Sequence, residues 1–470
     1  MKQGNDGMRA GDWPAAIGAY GLAMLQQPAL GRHYVANLQR AARRYRQERL
    51  RRHGQPPSPP TVVVAAAELS HNSAGRAYLL AQLHQQLGSP VTLLGSHFLP
   101  FGRDLWEPIR QTSLPIASFV VEDESRFVYQ AAQLVLSHPA DLVHLSKPRL
   151  PTVIFGLLYQ LFWGASVLMD SDDEELLFGD EQQPIPADVL PQPGEAFPAA
   201  RQLMGPRWTR WGVMLGRRFD GLTVANRALQ QRYGGSVIRH ARDASLLRPA
   251  TAEQRLAARW RHQIAPTARV LLFFGSPKRH KGLLEIARAM AQLPAALEPL
   301  FLVVGDVEEA DLRRELIAAL PCDRLKMLAN QPLSAAAEIL SLANGVALLS
   351  HGPIADFQTP AKLSDALAMG LPVLASPTLP IQELAAGEVI QMVTSEDLAS
   401  QLRRLLEAGD HGAEAHRSAQ ARSFFEANLS MAVVSQHLQA VIAAVNSQQT
   451  LTQARPAAEG LRLLQHVLLA

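Results

Sequence analysis

Several features that would assign a chain to a functional class are scarce here. The chain has one cysteine, Cys322, which excludes an intrachain disulfide framework and is typical of a reducing compartment. Its 45 Lys and Arg residues nearly balance its 42 Asp and Glu residues, which argues against a dedicated nucleic-acid-binding protein. The first residues, MKQGNDGMRAGDW, contain no apolar core of a secretory signal, so we expect a cytoplasmic protein.

Long apolar runs are also scarce. The one window that approaches the length of a membrane span runs from Thr152 to Met169. Gly156, Gln160 and Gly164 interrupt it, so the pattern favours a buried helix followed by a strand over a transmembrane helix.

Residues 1–53 predict a helical segment. The stretch from Gly11 to Pro28 has the residue spacing of the second half of one tetratricopeptide repeat, and no second copy follows. We therefore expect a helical cap docked on the next domain, with a remnant of a partner-binding module as the alternative. An arginine-rich run predicts a solvated helix face, with attraction to anionic lipid as the alternative; it comprises Arg40, Arg43, Arg44, Arg46, Arg49, Arg51 and Arg52.

From Thr61 onward, buried strands alternate with amphipathic helices. This alternation predicts a parallel, doubly wound α/β domain over residues 61–245 and a second one over residues 265–445, closed by a long helix or helix pair. Proline-rich residues 54–60 predict a linker, residues 182–198 a long ordered loop, and residues 446–470 a tail. Ligands of such sheets bind at the carboxyl ends of the strands, so we expect a site in a cleft between the two domains.

Two motifs in the second domain indicate an anion site. In FFGSPKRHKGLLEIA, a strand is followed by a short loop and the start of a helix, which presents free N–H groups and the positive end of the helix dipole. The dipole disfavours cations there, so Lys281, with Lys278 and Arg279 before it, favours a phosphate clamp over an exposed basic turn. Thr359 and Pro360 open a second helix that carries Asp365, whose carboxylate suits a vicinal diol such as a ribose.

Together these segments resemble the retaining family 4 glycosyltransferases over most of residues 60–440. The resemblance rests on the G-x(6)-KG loop, on DALAMGLPVLAS, and on weaker matches such as SHNSAGRAYLLAQL and LFLVVGD. It implies a two-domain fold named GT-B and transfer of a sugar from a nucleotide-diphosphate donor.

The resemblance also implies roles for residues of the second domain. Lys281 matches the lysine that contacts the donor diphosphate, in a loop that opens at Gly275. The family arginine falls at Ser276, where Lys278 or Arg279 is the alternative. Asp365 matches the second glutamate of a paired motif, and the first falls at Phe357, with Asp356 as the nearest acid. Gln358 and Thr359 are expected near the sugar and the diphosphate.

In the first domain, the segment MDSDDEE stands where the family often has a histidine. Asp172 and Asp173 are therefore our candidates for acid, base or acceptor contacts, with His144, Lys147 and Arg149 at a neighbouring strand end. For His144 the alternative is a buried histidine with its hydrogen bonds satisfied inside the domain. Asp170 and Asp172 also spell a D-x-D motif that binds metal in another glycosyltransferase fold, an interpretation we reject because the surrounding pattern is GT-B. In the first loop, His71 and Asn72 precede Gly75, which permits close approach of the backbone to a ligand.

We therefore expect a metal-independent hexosyltransferase with no cofactor beyond its nucleotide-sugar substrate. The acceptor is expected to be a glycan or a lipid-linked molecule of cell-surface polysaccharide synthesis, with peripheral membrane contact through residues 40–52 and no nucleic-acid partner. The alternatives are a non-catalytic binding protein on the same fold and a nucleotide-sugar epimerase. A nicotinamide-dependent oxidoreductase is disfavoured, because neither first-strand loop contains G-x-G-x-x-G.

Overall fold

The computed structural model describes residues 2–27, 31–53, 59–179, 203–385, 389–407 and 411–449. Most of the predicted linker, the predicted loop at 182–198 and nearly all of the predicted tail lie outside these ranges.

The amino-terminal segment is helical, as the sequence predicts. It consists of α1 (Lys2–Ala10), α2 (Trp13–Gln26) and α3 (Gly31–His53). Asp12 caps α2 by accepting a hydrogen bond from the backbone N–H of Ala15 at 3.1 Å. Ile17 and Leu38 are fully buried in the same core as the helices of the next domain. The segment is thus a packed layer of the first domain.

The first α/β domain contains one parallel sheet in the order β3-β2-β1-β4-β5-β6-β7. Along the chain, its elements are β1 (Val62–Ala66), α4 (Ala74–Gln86), β2 (Val91–Phe98), β3 (Ile116–Val121), α5 (Phe127–Ser137), β4 (Leu142–Ser146), α6 (Leu150–Trp163), β5 (Ser166–Ser171), α7 (Pro206–Gly216), β6 (Gly221–Val224), α8 (Arg227–Tyr233) and β7 (Ser236–Val237). All five residues of β1 are buried, which is typical of a central strand covered by helices on both faces.

The second domain contains a parallel sheet in the order β10-β9-β8-β11-β12-β13. Its elements are α9 (Ala252–Arg261), β8 (Arg269–Phe274), α10 (Leu283–Ala291), β9 (Pro299–Val304), α11 (Ala310–Ala319), β10 (Leu325–Leu328), α12 (Ala336–Ser341), β11 (Gly345–Leu348), α13 (Ala361–Ala368), β12 (Val373–Ala375), α14 (Leu379–Leu384), β13 (Ile390–Met392), α15 (Leu398–Leu406) and α16 (His411–Asn428). The last helix of the described chain, α17 (Met431–Gln449), follows α16.

The predicted closing helix pair divides between the two domains. Helix α16 packs on α13, whereas α17 packs on α4 of the first domain. Val434 and Leu438 of α17 are fully buried in the core that also contains Val62 and Leu80. Placing the whole pair in a second domain that ends at residue 445 was therefore wrong, because the chain crosses back at the start of α17.

The apolar window that begins at Thr152 is a helix followed by a strand, as predicted. It forms α6 and β5, and both are buried inside the first domain. Gly164 ends α6 with a left-handed φ of 58°. Among the helices of the described ranges, none is both long enough and apolar enough to cross a bilayer.

Candidate active site in the cleft between the two sheets

The two sheets face each other through the loops at their carboxyl ends. In each sheet the order of strands reverses beside the first strand, between β1 and β4 and between β8 and β11. Crevices at such points are where doubly wound sheets bind ligands. The loops after β5, β8 and β11 contribute the side chains that meet across this cleft.

A hydrogen-bonded chain joins the two domains at this place. Lys281 donates from Nζ to Gln358 Oε1 at 2.5 Å, and Gln358 donates from Nε2 to Asp173 Oδ1 at 2.9 Å. These three candidates were selected from separate parts of the sequence, and the fold brings them into direct contact. A cation of the second domain thereby lies one side chain away from a carboxylate of the first.

Lys281 lies just before α10, not on it. It ends a short 3₁₀ turn, and Gly282 follows with a left-handed φ of 67°. A Cβ at Gly282 would lie 2.5 Å from Cβ of Leu349, so the turn requires glycine there. Burial, and then the neighbouring Lys362, lower the pKa of Lys281 to about 8, although Asp173 opposes the shift. The lysine thus titrates near physiological pH.

Lys278 and Arg279, the two proposed substitutes for the family arginine, engage acids of the second domain. Lys278 Nζ lies 2.9 Å from Glu308, and Arg279 binds both carboxylate oxygens of Glu315 at 2.7 and 3.0 Å. Arg279 is half exposed. The cation that the structure brings to this loop is Lys362 of α13, which the sequence analysis did not select.

Asp365 is buried and bound by an arginine. Arg242, from the segment that joins the domains, contacts both carboxylate oxygens: Nε lies against Oδ1, and one terminal nitrogen is 3.3 Å from Oδ2. The neighbouring Ser364 donates to the backbone oxygen of His240 at 2.6 Å. The start of α13 is therefore anchored to the interdomain segment, and Arg242 is a site residue that the sequence did not reveal.

Thr359 and Phe357 are held by the first domain. Asn226 donates from Nδ2 to the backbone oxygen of Phe357 at 2.7 Å and lies 3.1 Å from the Thr359 hydroxyl oxygen. The Arg232 guanidinium lies 5.4 Å from the centroid of the Phe357 ring, which packs against a buried cluster of the first domain. Phe357, which stands where the family has the first glutamate of its paired motif, therefore packs between the two domains.

Asp356 lies apart from this chain of contacts. It is exposed and lines a cavity of about 420 Å³ at the carboxyl ends of β11, β12 and β13. The other polar residues that line this cavity are Ser350, His351, Ser376, Thr378, Thr394 and Ser395. Neither Lys281 nor Asp365 is among the described residues that line it, so Asp356 faces a different part of the second domain's surface.

On the first-domain side, three carboxylates surround one ammonium group. Lys147 Nζ lies 2.8 Å from Asp172, 2.6 Å from Asp173 and 3.2 Å from Glu175. Arg149 pairs with the far side of Glu175. The three acids are close enough together to ligate a metal ion, but the Lys147 ammonium contacts all of them.

The two aspartates of this cluster titrate in opposite directions. Burial raises the pKa of Asp172, and the attraction of Lys147 does not fully offset it. Burial also opposes ionisation of Asp173, yet Lys147 and the hydrogen bond from Gln358 outweigh it and lower its pKa. Asp173 is therefore the ionised member that meets the second domain, whereas Asp172 lies deeper and is the more readily protonated acid.

Lys147 itself has a backbone conformation that non-glycine residues seldom adopt. Its φ is 67°, and its backbone oxygen accepts a hydrogen bond from Thr152 Oγ1 at 2.6 Å. Such a conformation costs about 1 kcal/mol and persists only where the surroundings impose it. Here it turns the side chain toward the acids.

His144 was wrongly placed among the catalytic candidates. It is fully buried in the middle of β4, where it lies 3.1 Å from His84 and 3.0 Å from the Thr223 hydroxyl. Burial lowers its pKa to about 4, so the ring is neutral. The same network holds Asp170, which accepts two hydrogen bonds from Arg76 at 2.8 Å each. Both histidines and Asp170 therefore belong to the core, not to the cleft.

Gly75 is also explained by packing. It lies in the first turn of α4, and a Cβ there would be 3.2 Å from the Trp106 ring. The expected approach of a ligand to its backbone is not needed to account for this glycine. His71, before α4, lies with its ring 5.4 Å from that of Phe101, and burial lowers its pKa.

Comparison with known proteins identifies the architecture. Residues 254–422 match the family described as Glycosyl transferases group 1. HepE from Anabaena, solved in complex with UDP and glucose, is 16% identical; the alignment covers 82% of this chain and 100% of HepE, with a TM-score of 0.62. The sucrose-phosphate synthase of Thermosynechococcus elongatus is 15% identical, with 83% and 100% coverage and a TM-score of 0.56.

A third solved structure, of WaaG, a glycosyltransferase involved in lipopolysaccharide biosynthesis, is 14% identical; 81% of this chain and 99% of WaaG align, with a TM-score of 0.54. No curated protein matches the chain. The chain therefore has the GT-B fold of glycosyltransferases, and its second domain matches the group 1 glycosyl transferases.

Proposed function

We propose that this protein transfers a sugar from a nucleoside-diphosphate donor to a hydroxyl of an acceptor, with retention of configuration. The observation that carries the proposal is the contact chain from Lys281 through Gln358 to Asp173. It joins a partly buried cation, suited to a diphosphate, to an ionised carboxylate, suited to an acceptor hydroxyl. Sugar transfer requires both groups in one cleft.

The proposed role of Lys281 is to stabilise the leaving group. When the bond between the sugar carbon and the β-phosphate oxygen breaks, its electron pair remains on that oxygen. A partly buried ammonium that is already in place stabilises this charge more strongly than water would. A phosphate oxygen would compete with Gln358 for the Lys281 ammonium and displace its amide.

The acceptor oxygen attacks the same sugar carbon as the donor bond breaks. For retention it approaches from the leaving-group side, and its proton passes to the departing phosphate. Asp173 orients the acceptor hydroxyl by accepting its hydrogen bond, and Lys147 keeps Asp173 ionised. No metal ion takes part in these steps, since the Lys281 ammonium supplies positive charge at the diphosphate.

The fold supports a sugar nucleotide as the donor, and HepE was solved with UDP-glucose. We therefore place UDP-sugars first among the candidates, with Asp365 and Thr359 contacting the nucleotide. We propose a glycan or lipid-linked acceptor in cell-surface polysaccharide synthesis and a cytoplasmic location. Contact with the inner membrane face would use the exposed Arg40, Arg43 and Arg44 of α3. Flotation with anionic and neutral vesicles tests that contact.

The function is tested by incubating the chain with UDP-, GDP- and ADP-sugars and measuring release of the nucleoside diphosphate, with and without glycan acceptors. We expect release with one donor class, and an NMR spectrum of the product that shows the anomeric configuration of the donor. An altered sugar nucleotide without acceptor would instead identify an epimerase. Binding without any turnover would identify a non-catalytic protein. The departures from the family pattern at Ser276 and Phe357 would then explain the missing activity.

A further inference from the structure

Lys362, in the first turn of α13, extends toward the loop that follows β8. A Cβ built on Gly275 would lie 2.9 Å from Lys362 Nζ and closer still to its Cε. Gly275 also has a φ of 121°, which other residues rarely adopt. Because residue 275 is a glycine, the Lys362 side chain can pack against the backbone of the loop. A larger residue at 275 would occupy the same space.

Lys362 makes no ion pair or hydrogen bond with any residue in the described ranges. The nearest acid, Asp365, is already bound through both oxygens by Arg242. Two further features disfavour a charged ammonium at this position. The side chain is partly buried, and the amino-terminal turn of a helix repels cations. Within the part of the chain that the structure describes, this charge therefore has no hydrogen-bonded or ion-paired partner.

Lys281 is a group of like charge close enough for the two lysines to interact, and one acid acts on each of them: Asp173 on Lys281 and Asp365 on Lys362. The presence of Lys362 disfavours protonation of Lys281. Lys281 donates to a neutral amide, and Asp173 is the acid that acts on it. Two ammonium groups gathered at the carboxyl end of β8 form a site for an anion that carries more than one negative charge.

We propose that Lys362 is the second cation of the donor site and binds, with Lys281, the diphosphate of the nucleotide donor. This inference rests on the proposed function. The family that the sequence resembles has an arginine at the position of Ser276, which is an exposed serine here. In this chain, Lys362 of α13 supplies that positive charge. Arg279, bound to Glu315 on the surface, is then not required for binding.

The test measures anion affinity by calorimetry, with inorganic pyrophosphate as a probe that needs no knowledge of the base, and with UDP, GDP and ADP. The variants are Lys362→Met, Lys281→Met and Arg279→Ala. Lys326→Met is the matched control, because Lys326 is a partly buried lysine of β10 that donates to the backbone oxygen of His262. We expect pyrophosphate to bind about 10- to 100-fold more weakly to the first two variants and unchanged to the others.

Thermal melting separates binding from folding. Because Lys362 pairs with none of the described residues, Lys362→Met should melt no lower than the wild type without ligand, yet lose most of the rise in melting temperature that pyrophosphate produces. Lys362→Gln provides a second uncharged variant. If both variants fail to fold, Lys362 is structural and the proposal is overturned.

The remaining outcomes distinguish this inference from the proposed function. If Lys362→Met binds like the wild type while Lys281→Met does not, the donor site stands and Lys362 has no part in it. If Arg279→Ala loses as much affinity as Lys281→Met, the second cation is Arg279 and the assignment to Lys362 is overturned. A wild type that binds neither pyrophosphate nor any of the three nucleotides would refute both.

Discussion

The two domains each present a lysine beside the point where the strand order reverses, but in opposite electrostatic settings. Lys147 follows β4 of the first sheet and contacts three carboxylates. Lys281 follows β8 of the second sheet and contacts one neutral amide, with Lys362 as its neighbour. The first lysine is satisfied by the protein, whereas the second pair is not. The strand order favours a ligand site at the carboxyl end of each sheet. The local charge balance decides that the site of the second sheet is the one that suits an anion.

The largest effect is expected at Lys147. Lys147→Met leaves three buried or partly buried carboxylates without their ammonium, which should lower the free energy of unfolding by about 3–5 kcal/mol. Chemical denaturation at pH 7 measures it, and the same substitution at Lys281 should leave the unfolding free energy nearly unchanged. The loss should shrink at lower pH as the carboxyl groups take up protons. If Lys147→Met and Lys281→Met lost the same free energy of unfolding, the proposed difference in charge balance between the two lysines would be wrong.

A comparably large effect is expected on turnover. Lys281→Ala removes the cation nearest the leaving group and should lower kcat/KM for the donor by roughly 100- to 1,000-fold, as for loss of one preorganised donor in other active sites. Steady-state kinetics on the preferred donor measures it. Lys326→Ala is the control and should keep full activity. A folded Lys281→Ala variant with the wild-type rate would contradict the proposed role.

Donor binding should weaken as the pH rises. The pKa of Lys281 is lowered to about 8, so a growing fraction of free protein lacks the charge above that pH. A bound diphosphate favours the ammonium form, hence binding should take up protons near pH 8 and weaken by about tenfold per pH unit well above it. Asp173 and Lys362 are the charged groups that act on Lys281. Calorimetry of pyrophosphate binding in buffers of different ionisation enthalpy measures the uptake, and Lys281→Arg should remove the part of it that Lys281 contributes.

The smallest effect concerns Gln358. Gln358→Ala removes the amide that occupies Lys281 before the diphosphate binds, so pyrophosphate should bind a few-fold more tightly, equivalent to about 0.5–1.5 kcal/mol. The same variant loses the bridge to Asp173 and should transfer sugar more slowly. Calorimetry and kinetics on one preparation measure the two changes. Weaker pyrophosphate binding would instead mean that Gln358 holds the anion itself.

The sequence was informative wherever the determining interactions are local. Val62–Ala66 is recognisable as a central strand because it is an uninterrupted apolar run, and Lys281 because it stands in a strand–loop–helix pattern. His144 misled us for a definable reason: it lies near a strand end, yet the register places it beside Val64 and Leu168 inside the sheet. Which face of a buried parallel strand carries a polar side chain depends on the helices packed there.

The residues that the sequence did not reveal depend on contacts between distant parts of the chain. Arg242 reaches Asp365 over 123 positions, and Asn226 reaches Phe357 over 131. Lys362 could have been found from one local clue, a cation in the first turn of a helix, which is the argument that selected Lys281. Its orientation toward Gly275, however, is determined by how α13 packs against the loop after β8.

By itself, then, the amino-acid sequence determined two α/β domains, the order of their elements and the strand ends that carry charge, because hydrophobic periodicity and helix-start patterns act over a few residues. The tertiary structure alone decided which charges are neutralised. Lys147 forms ion pairs with three acids, and Lys362 forms none with the described residues, because separate loops converge in the cleft. Electrostatic energies depend on distance and burial, not on separation along the chain.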